Sequence, residues 1–225
     1  MAINQWYAFD TETGGLSPWE HPLLSVGTAY FADGIALTQS ELLVAPDPEK
    51  TISPKALEIN GLDIKALKET EDTFHHRDAG EAMRVNLHHM QGQGVPIVGH
   101  NMTFDITYIM VNAGCPGMEL GPEYMFYDTK LLVRHFAPEH QHKNLGELCE
   151  MFGIPLDNAH NAVADATATG LLFGALLREY PEIESWSAEE LRAIMEEEFD
   201  GQTAGYSGRL AFDRFGSATE MSMRD

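Results

Sequence analysis

The sequence predicts an α/β fold with a mixed five-stranded sheet, an antiparallel meander of three strands plus parallel strands, flanked by helices. Three features predict it. Residues 1–45 hold three apolar or alternating runs, the last two separated by ADG, a tight-turn signal. Two later short apolar runs, VPIVGHN and MFYD, stand beside helical periods. Residues 144–200 are helical in pattern, with an alanine-rich stretch at 161–180. A meander followed by alternating helices and strands gives a mixed sheet with helices packed on it.

QWYAFD is the first strand, and LLSVGTAYF (23–31) and GIALTQSELLVA (34–45) complete the meander. SPKALEINGLD (53–63) reads as a short helix, with Pro54 at its first position and Gly61 closing it. From Asp78, AGEAMRVNLHHMQ sets Ala79, Met83, Leu87 and Met90 on one helical face, and GQG stops it. TFDITYIMVNAG (103–114) is a second amphipathic helix ended by Gly114. MFYDTKLLVRHF (125–136) passes from strand to helix at Asp128–Thr129, where Asp128 has a sufficient role as an N-cap. NLGELCEMFGI (144–154) and NAVADATATGLLFGALLREY (161–180) add two helices. Ser187 and Glu190 make a capping box for a last one, with Leu191, Ile194, Met195 and Phe199 on its inner face. The organisation expected is a main domain over 1–180, an acidic amphipathic helix over 181–200 and a flexible tail over 201–225.

Composition narrows the function classes. With 225 residues, 44% of them hydrophobic, the chain fills one good core. Cys115 and Cys149 are too few for a disulfide framework or a zinc site. The N-terminus has no basic segment followed by an apolar stretch, and the longest apolar run, LLFGALL at 171–177, is too short to span a bilayer. A cytoplasmic protein is expected. Charge is the awkward feature: 14 Lys+Arg against 35 Asp+Glu give −21, the wrong sign for gripping nucleic acid along a basic groove. A third of that excess lies in residues 181–200, which hold eight acids and one arginine.

The chemistry begins where the first strand ends. Asp10 and Glu12, two positions apart, point to the same side of an extended backbone. Asp105 sits early in a helix that follows a buried strand, and Asp165 lies in the opening turns of a helix just after His160. Strand ends and helix starts are where α/β folds place their sites. Two carboxylates about 4 Å apart repel by roughly 4 kcal/mol at an effective dielectric near 20, so a cluster of four calls for cations. Hard oxygens with one imidazole suit Mg²⁺ or Mn²⁺ rather than zinc. Paired ions of that kind serve in-line phosphodiester cleavage.

FDTETGGL, HNMTFD, YDT and HNAVAD resemble, in order, the exonuclease motifs of the DnaQ-like, or DEDDh, family of 3′→5′ exonucleases. ISPKALEINGL resembles the family's stretch after the third strand, and the likeness covers about residues 4–178. It implies an RNase H-like fold, two divalent ions and release of nucleoside monophosphates from 3′ ends. Position by position, it implies that Asp10, Glu12 and Asp165 are direct metal ligands and that Asp105 reaches its ion through water. His160, five residues before Asp165, matches the general base; position 161 is Asn, which sets aside the tyrosine branch of the superfamily. The resemblance also places Thr11 and Thr13 at the terminal 3′-OH, Leu16 and Phe104 beside the last base, and Asn101 at its loop or the scissile phosphate. Gly14–Gly15 departs from the commoner Thr-Gly version, and Trp19 is expected to extend the stacking surface.

The expected substrate is the 3′ end of single-stranded DNA, in replication, proofreading or repair. RNA trimming is the alternative, and an acidic DNA mimic without chemistry is the non-enzymatic one. A polymerase or sliding clamp is the expected protein partner, supplying the grip that the acidic chain lacks; RLAF at 209–212 is too short a match to clamp peptides to count toward it. Without a basic groove, action is expected to be distributive. The pairs His75–His76, His88–His89 and His140 with His142 read as solvated, for no matching acid or cysteine spacing surrounds them.

Overall fold

The computed structural model describes residues 2–112 and 125–194. Strands β1 (Gln5–Thr13), β2 (Leu23–Ala32) and β3 (Ile35–Ala45) come first. Helices α1 (Pro54–Asn60) and α2 (Ile64–Glu69) follow, then β4 (Phe74–His75) and α3 (His76–Gly92). Next are β5 (Ile97–Gly99), α4 (Met102–Asn112), β6 (Phe126–Asp128) and α5 (Thr129–Phe136). Helices α6 (Leu145–Phe152) and α7 (Ala162–Glu179) follow, and Ile183 and Leu191 beyond them join the core. One mixed sheet in the order β4-β3-β2-β1-β5-β6 runs through the centre, with β1, β2 and β3 antiparallel and β5 and β6 parallel to β1.

This is the expected α/β architecture, with three corrections. The sheet has six strands rather than five, because Phe74 and His75 pair with Val44 and Ala45 at its edge. Two residues, both exposed, leave no alternation to read. Pro54 opens α1 and Gly61, at φ 66°, closes it as expected, but an unforeseen helix α2 follows, capped by Asp63, which accepts from the amides of Lys65 and Ala66. Helix α3 begins at His76, two residues ahead of Asp78, with His75 as its N-cap. The predicted end of α4 at Gly114 lies outside the described residues, as do Met195, Phe199 and the whole of 201–225. Residues 188–194 are helical, and the Ser187–Glu190 capping box is present, the Glu190 amide donating to Ser187 Oγ at 3.2 Å.

Alternation along β1 divides the core between two layers. Tyr7 and Phe9 face α3 and α4, in a cluster with Met83, Leu87, Met102 and Ile106. Trp6 and Ala8 face α7, in a second cluster with Phe31, Leu172, Phe173 and Leu176. Asp10 and Glu12 continue the Trp6–Ala8 row, so both carboxylates face the helix that carries Asp165.

Three backbone details bring α7 onto the sheet. Trp6 Nε1 donates to the carbonyl of Gly170 at 3.0 Å. A Cβ at Gly170 would sit 2.1 Å from the Phe31 ring, and one at Gly27 would sit 2.0 Å from the carbonyl carbon of Ala162. Gly27 is the β2 partner of Asp10, so the first turn of α7 lies flat against the strand beside the carboxylates. Gly27→Ala is therefore expected to lift residues 162–165. Overpacking of this kind costs about 1–3 kcal/mol, and differential scanning fluorimetry should show both a lower melting temperature and a weaker stabilisation by added Mn²⁺.

Candidate active site

Five segments meet at the carboxyl end of β1. The β1–β2 register shifts between Glu12 and Thr13, an irregularity that turns the chain away into the loop preceding β2. Carboxylate oxygens of Asp10, Glu12 and Asp165 all lie within 4.8 Å of one another. Asp105 enters from the opposite layer: Thr11 faces α4, and its amide and hydroxyl donate to Asp105 Oδ1 at 3.0 and 2.6 Å. The four acids drawn from three distant segments thus converge.

Their electrostatics confirm how crowded they are. Burial pushes the Asp10 carboxyl well above its ordinary range, and Asp105, Asp165 and Glu12 push it further. Glu12 rises to about 8, from burial first and then from Asp165 and Asp105. Asp105 rises to about 7 through burial, against the pull of the Thr11 hydrogen bonds. Asp165 is raised by burial and held down in part by the His160 amide. Hard oxygen donors, closely set and hard to ionise together, fit a divalent cation.

Beside the cluster runs a groove of about 530 Å³, lined in part by Thr11, Glu12, Thr13, Leu16, Phe104 and His160. His160 is exposed, and its backbone adopts φ 67°, a left-handed conformation uncommon for a residue with a side chain. That conformation lets its amide donate to Asp165 Oδ2 at 2.9 Å while the imidazole borders the groove. Leu16 stands 70% exposed at the rim. Phe104 leans on Tyr108, ring centroids 4.8 Å apart, and the Tyr108 hydroxyl donates to the Gly15 carbonyl at 2.6 Å. Thr13 Oγ1 donates to the same carbonyl at 2.7 Å. Trp19 is 39% exposed but does not line the groove.

Asn101 also lies apart from the groove lining. Its backbone is left-handed (φ 62°), and its side-chain oxygen accepts from Lys130 Nζ at 3.0 Å. Asp128 does more than cap α5. Its Oδ1 accepts from Lys130 and Asn101 at 2.9 and 3.0 Å, and its Oδ2 accepts from Met102 at 2.8 Å. It therefore ties the start of α5 to the start of α4, which carries Asp105. Sequence reasoning gives only the first of these roles, because a cap is a local pattern and the α4 bond crosses 26 residues.

Comparison with known proteins agrees with this geometry. Residues 63–175, half of the chain, match the family described as DNA polymerase III subunit epsilon-like, C-terminal domain (DEDDh_C). The DNA polymerase III PolC-type of Caldanaerobacter subterraneus subsp. tengcongensis is 28% identical over 198 residues, 87% of this chain and 13% of that one. Its counterpart in Streptococcus agalactiae serotype III is 28% identical over 176 residues, 77% of this chain and 11% of that one. The chain thus spans about an eighth of the length of the curated relatives it matches. Among solved structures, E. coli exonuclease I in complex with a dT13 oligonucleotide superposes with a TM-score of 0.64 at 17% identity, covering 81% of this chain and 43% of that one. Pop2p of S. pombe, with Mg²⁺ and Mn²⁺ bound, gives 0.61 at 16% identity, covering 78% and 84%. Both share the fold. No described helix is long and apolar enough to cross a membrane.

Proposed function

Because the chain belongs to the DEDDh family of DnaQ-like 3′→5′ exonucleases, we propose that it removes nucleoside 5′-monophosphates from the 3′ ends of single-stranded DNA. The observation that carries this reading is the meeting of Asp10, Glu12 and Asp165 within 4.8 Å, beside a groove that His160 borders. These three acids would hold two Mg²⁺ or Mn²⁺ ions, and Asp105, engaged by Thr11, would assist them. When bound, such ions activate a water and steady the leaving oxygen.

The chain's own residues do the rest. Leu16 and Phe104 take the last base between them by stacking, which tolerates any base. Thr11 and Thr13 meet the terminal 3′-OH. His160 accepts a proton from the water that attacks phosphorus. The P–O3′ bond breaks, leaving a nucleoside 5′-monophosphate and a new 3′-hydroxyl on the shortened strand. His160 is fit for this because its ring is exposed to the groove while its backbone is fixed by Asp165.

DNA is favoured over RNA because the relatives that cover most of this chain are DNA polymerases. For the same reason a replicative polymerase is the partner proposed, in a compartment without membrane insertion. A time course on 5′-labelled DNA and matched RNA, with Mg²⁺, Mn²⁺ or EDTA, tests the reading. Shortening from the 3′ end of DNA, silenced by EDTA, is expected. His160→Ala is expected to lower kcat by about 10²–10⁴-fold with an unchanged melting curve. Faster loss of RNA overturns the DNA preference. An intact fold with no turnover on either polymer overturns the nuclease, and the acidic-mimic reading then gains.

A further inference from the structure

The groove has a second wall, which the hydrolytic chemistry leaves unused. Residues 51–60 are sewn to the β1–β2 loop by Thr51 N to Glu20 O (2.9 Å), Ser53 N to Gly14 O (2.7 Å) and Asn60 Nδ2 to Thr13 O (3.2 Å). His21 stands in the seam. Its Nδ1 lies 2.9 Å from the Thr51 carbonyl, which can only accept, so Nδ1 carries a proton there. Its ring lies against Gly15, where a Cβ would come within 2.2 Å of it. This explains Gly15, where a side chain would expel the imidazole; a Cβ at Gly14 would instead meet Pro22 at 2.7 Å. Ser53 is the N-cap of α1, yet its hydroxyl makes no cap bond. Lys55 is exposed and has no ion pair or hydrogen bond among the described residues. All three side chains line the groove.

Electrostatics decides what this wall meets. Among the groove-lining residues Glu12 is the only acid and Lys55 the only lysine or arginine. The chain's net charge of −21 offers a polyanion no general attraction. In the exonuclease reading the scissile phosphate sits by the carboxylate cluster, so the next one lies further along the groove. The next phosphate along the strand finds, on the wall made by His21, Ser53 and Lys55, the only lysine or arginine of the groove. We infer that His21, Ser53 and Lys55 form a subsite for the phosphodiester one nucleotide upstream of the scissile bond. The enzyme therefore prefers a strand carrying at least two phosphodiesters to a lone terminal ester.

This inference rests on the exonuclease reading, and two substrates separate them. The p-nitrophenyl ester of thymidine 5′-monophosphate has a scissile phosphodiester and no upstream one. A thymidine trinucleotide has both. Lys55→Ala is expected to lower the trinucleotide-to-ester ratio of kcat/KM about tenfold, chiefly through KM, and Lys55→Arg to recover most of it. When the upstream linkage is a neutral methylphosphonate, wild type and Lys55→Ala are expected to give the same ratio. A ratio unmoved by Lys55→Ala overturns the subsite, as does a deficit that persists on the methylphosphonate. Failure of the wild type on both substrates overturns the exonuclease reading and the subsite with it.

Discussion

Asp10→Asn is expected to abolish release of mononucleotides and, in the absence of divalent cations, to raise the melting temperature at pH 8. The two effects have one cause. Asp10 lies among Glu12, Asp105 and Asp165, and burial together with these neighbours resists its ionisation. The amide has the same shape and no charge, and its N–H₂ can donate to a neighbouring carboxylate oxygen. Removing one of four crowded anions relieves repulsion that no cation offsets. The proposed catalysis needs that anion, because a cation held there would supply several kcal/mol of charge stabilisation. Losing it costs at least about 10³-fold in kcat/KM, at roughly 1.4 kcal/mol per tenfold. Circular dichroism melts and a gel time course on one preparation check both halves. Turnover within tenfold of wild type would take Asp10 out of the metal cage, and a lower melting point would show that the cluster is not strained by its own charge.

The contrast with Gly27→Ala separates charge from placement. That substitution leaves all four acids in the chain and is expected to fail because Asp165 no longer reaches Asp10. A site of this kind depends on backbone approach as much as on its carboxylates.

Sequence exposed the acids and the imidazole because their spacings are local and each sits at a strand end or helix start. Asp10 and Glu12 share a face by strand alternation, and His160 and Asp165 are joined by a bond across five residues. The central strand and the longest helix were legible from composition, since Trp6 to Phe9 form a short apolar run buried on both faces and α7 is an alanine-rich segment buried almost all round. What escaped was whatever depends on distant backbone. The edge pairing of Phe74 and His75, the reach of Asp128 to Met102 and the contact of Gly27 with Ala162 involve partners 26 to 135 positions apart. A lone glycine in a strand signals close approach without naming what approaches. Helix α2 was hidden otherwise: it is six residues long, and Gly61 reads as the end of helical structure rather than a pause in it.

The pH dependence of stability gives the widest test of the cluster. A carboxyl whose folded pKa is raised keeps a proton that the unfolded chain has already released. Its contribution to stability is whole below the unfolded value, about 4, and is lost as pH rises through the folded one. Asp105 reaches about 7 and Glu12 about 8, with Asp10 raised as well, so the cation-free protein is expected to lose stability steadily from pH 5 to pH 8.5. Divalent cations act in the opposite sense, since they bind the ionised carboxylates and displace the protons. At a concentration of 100 times Kd, Mg²⁺ or Mn²⁺ contributes about 2.7 kcal/mol. For a domain of this size that is a rise of about 5–10 °C in melting temperature. The rise is expected to be near zero at pH 5 and full at pH 8, so melting curves with and without cation diverge as pH increases. In Asp10→Asn the cation-free slope is shallower and the divergence shrinks. A cation-free melting temperature that holds level across this range would mean that the carboxylates ionise without mutual hindrance, and the close-set cage would then be absent from the folded protein.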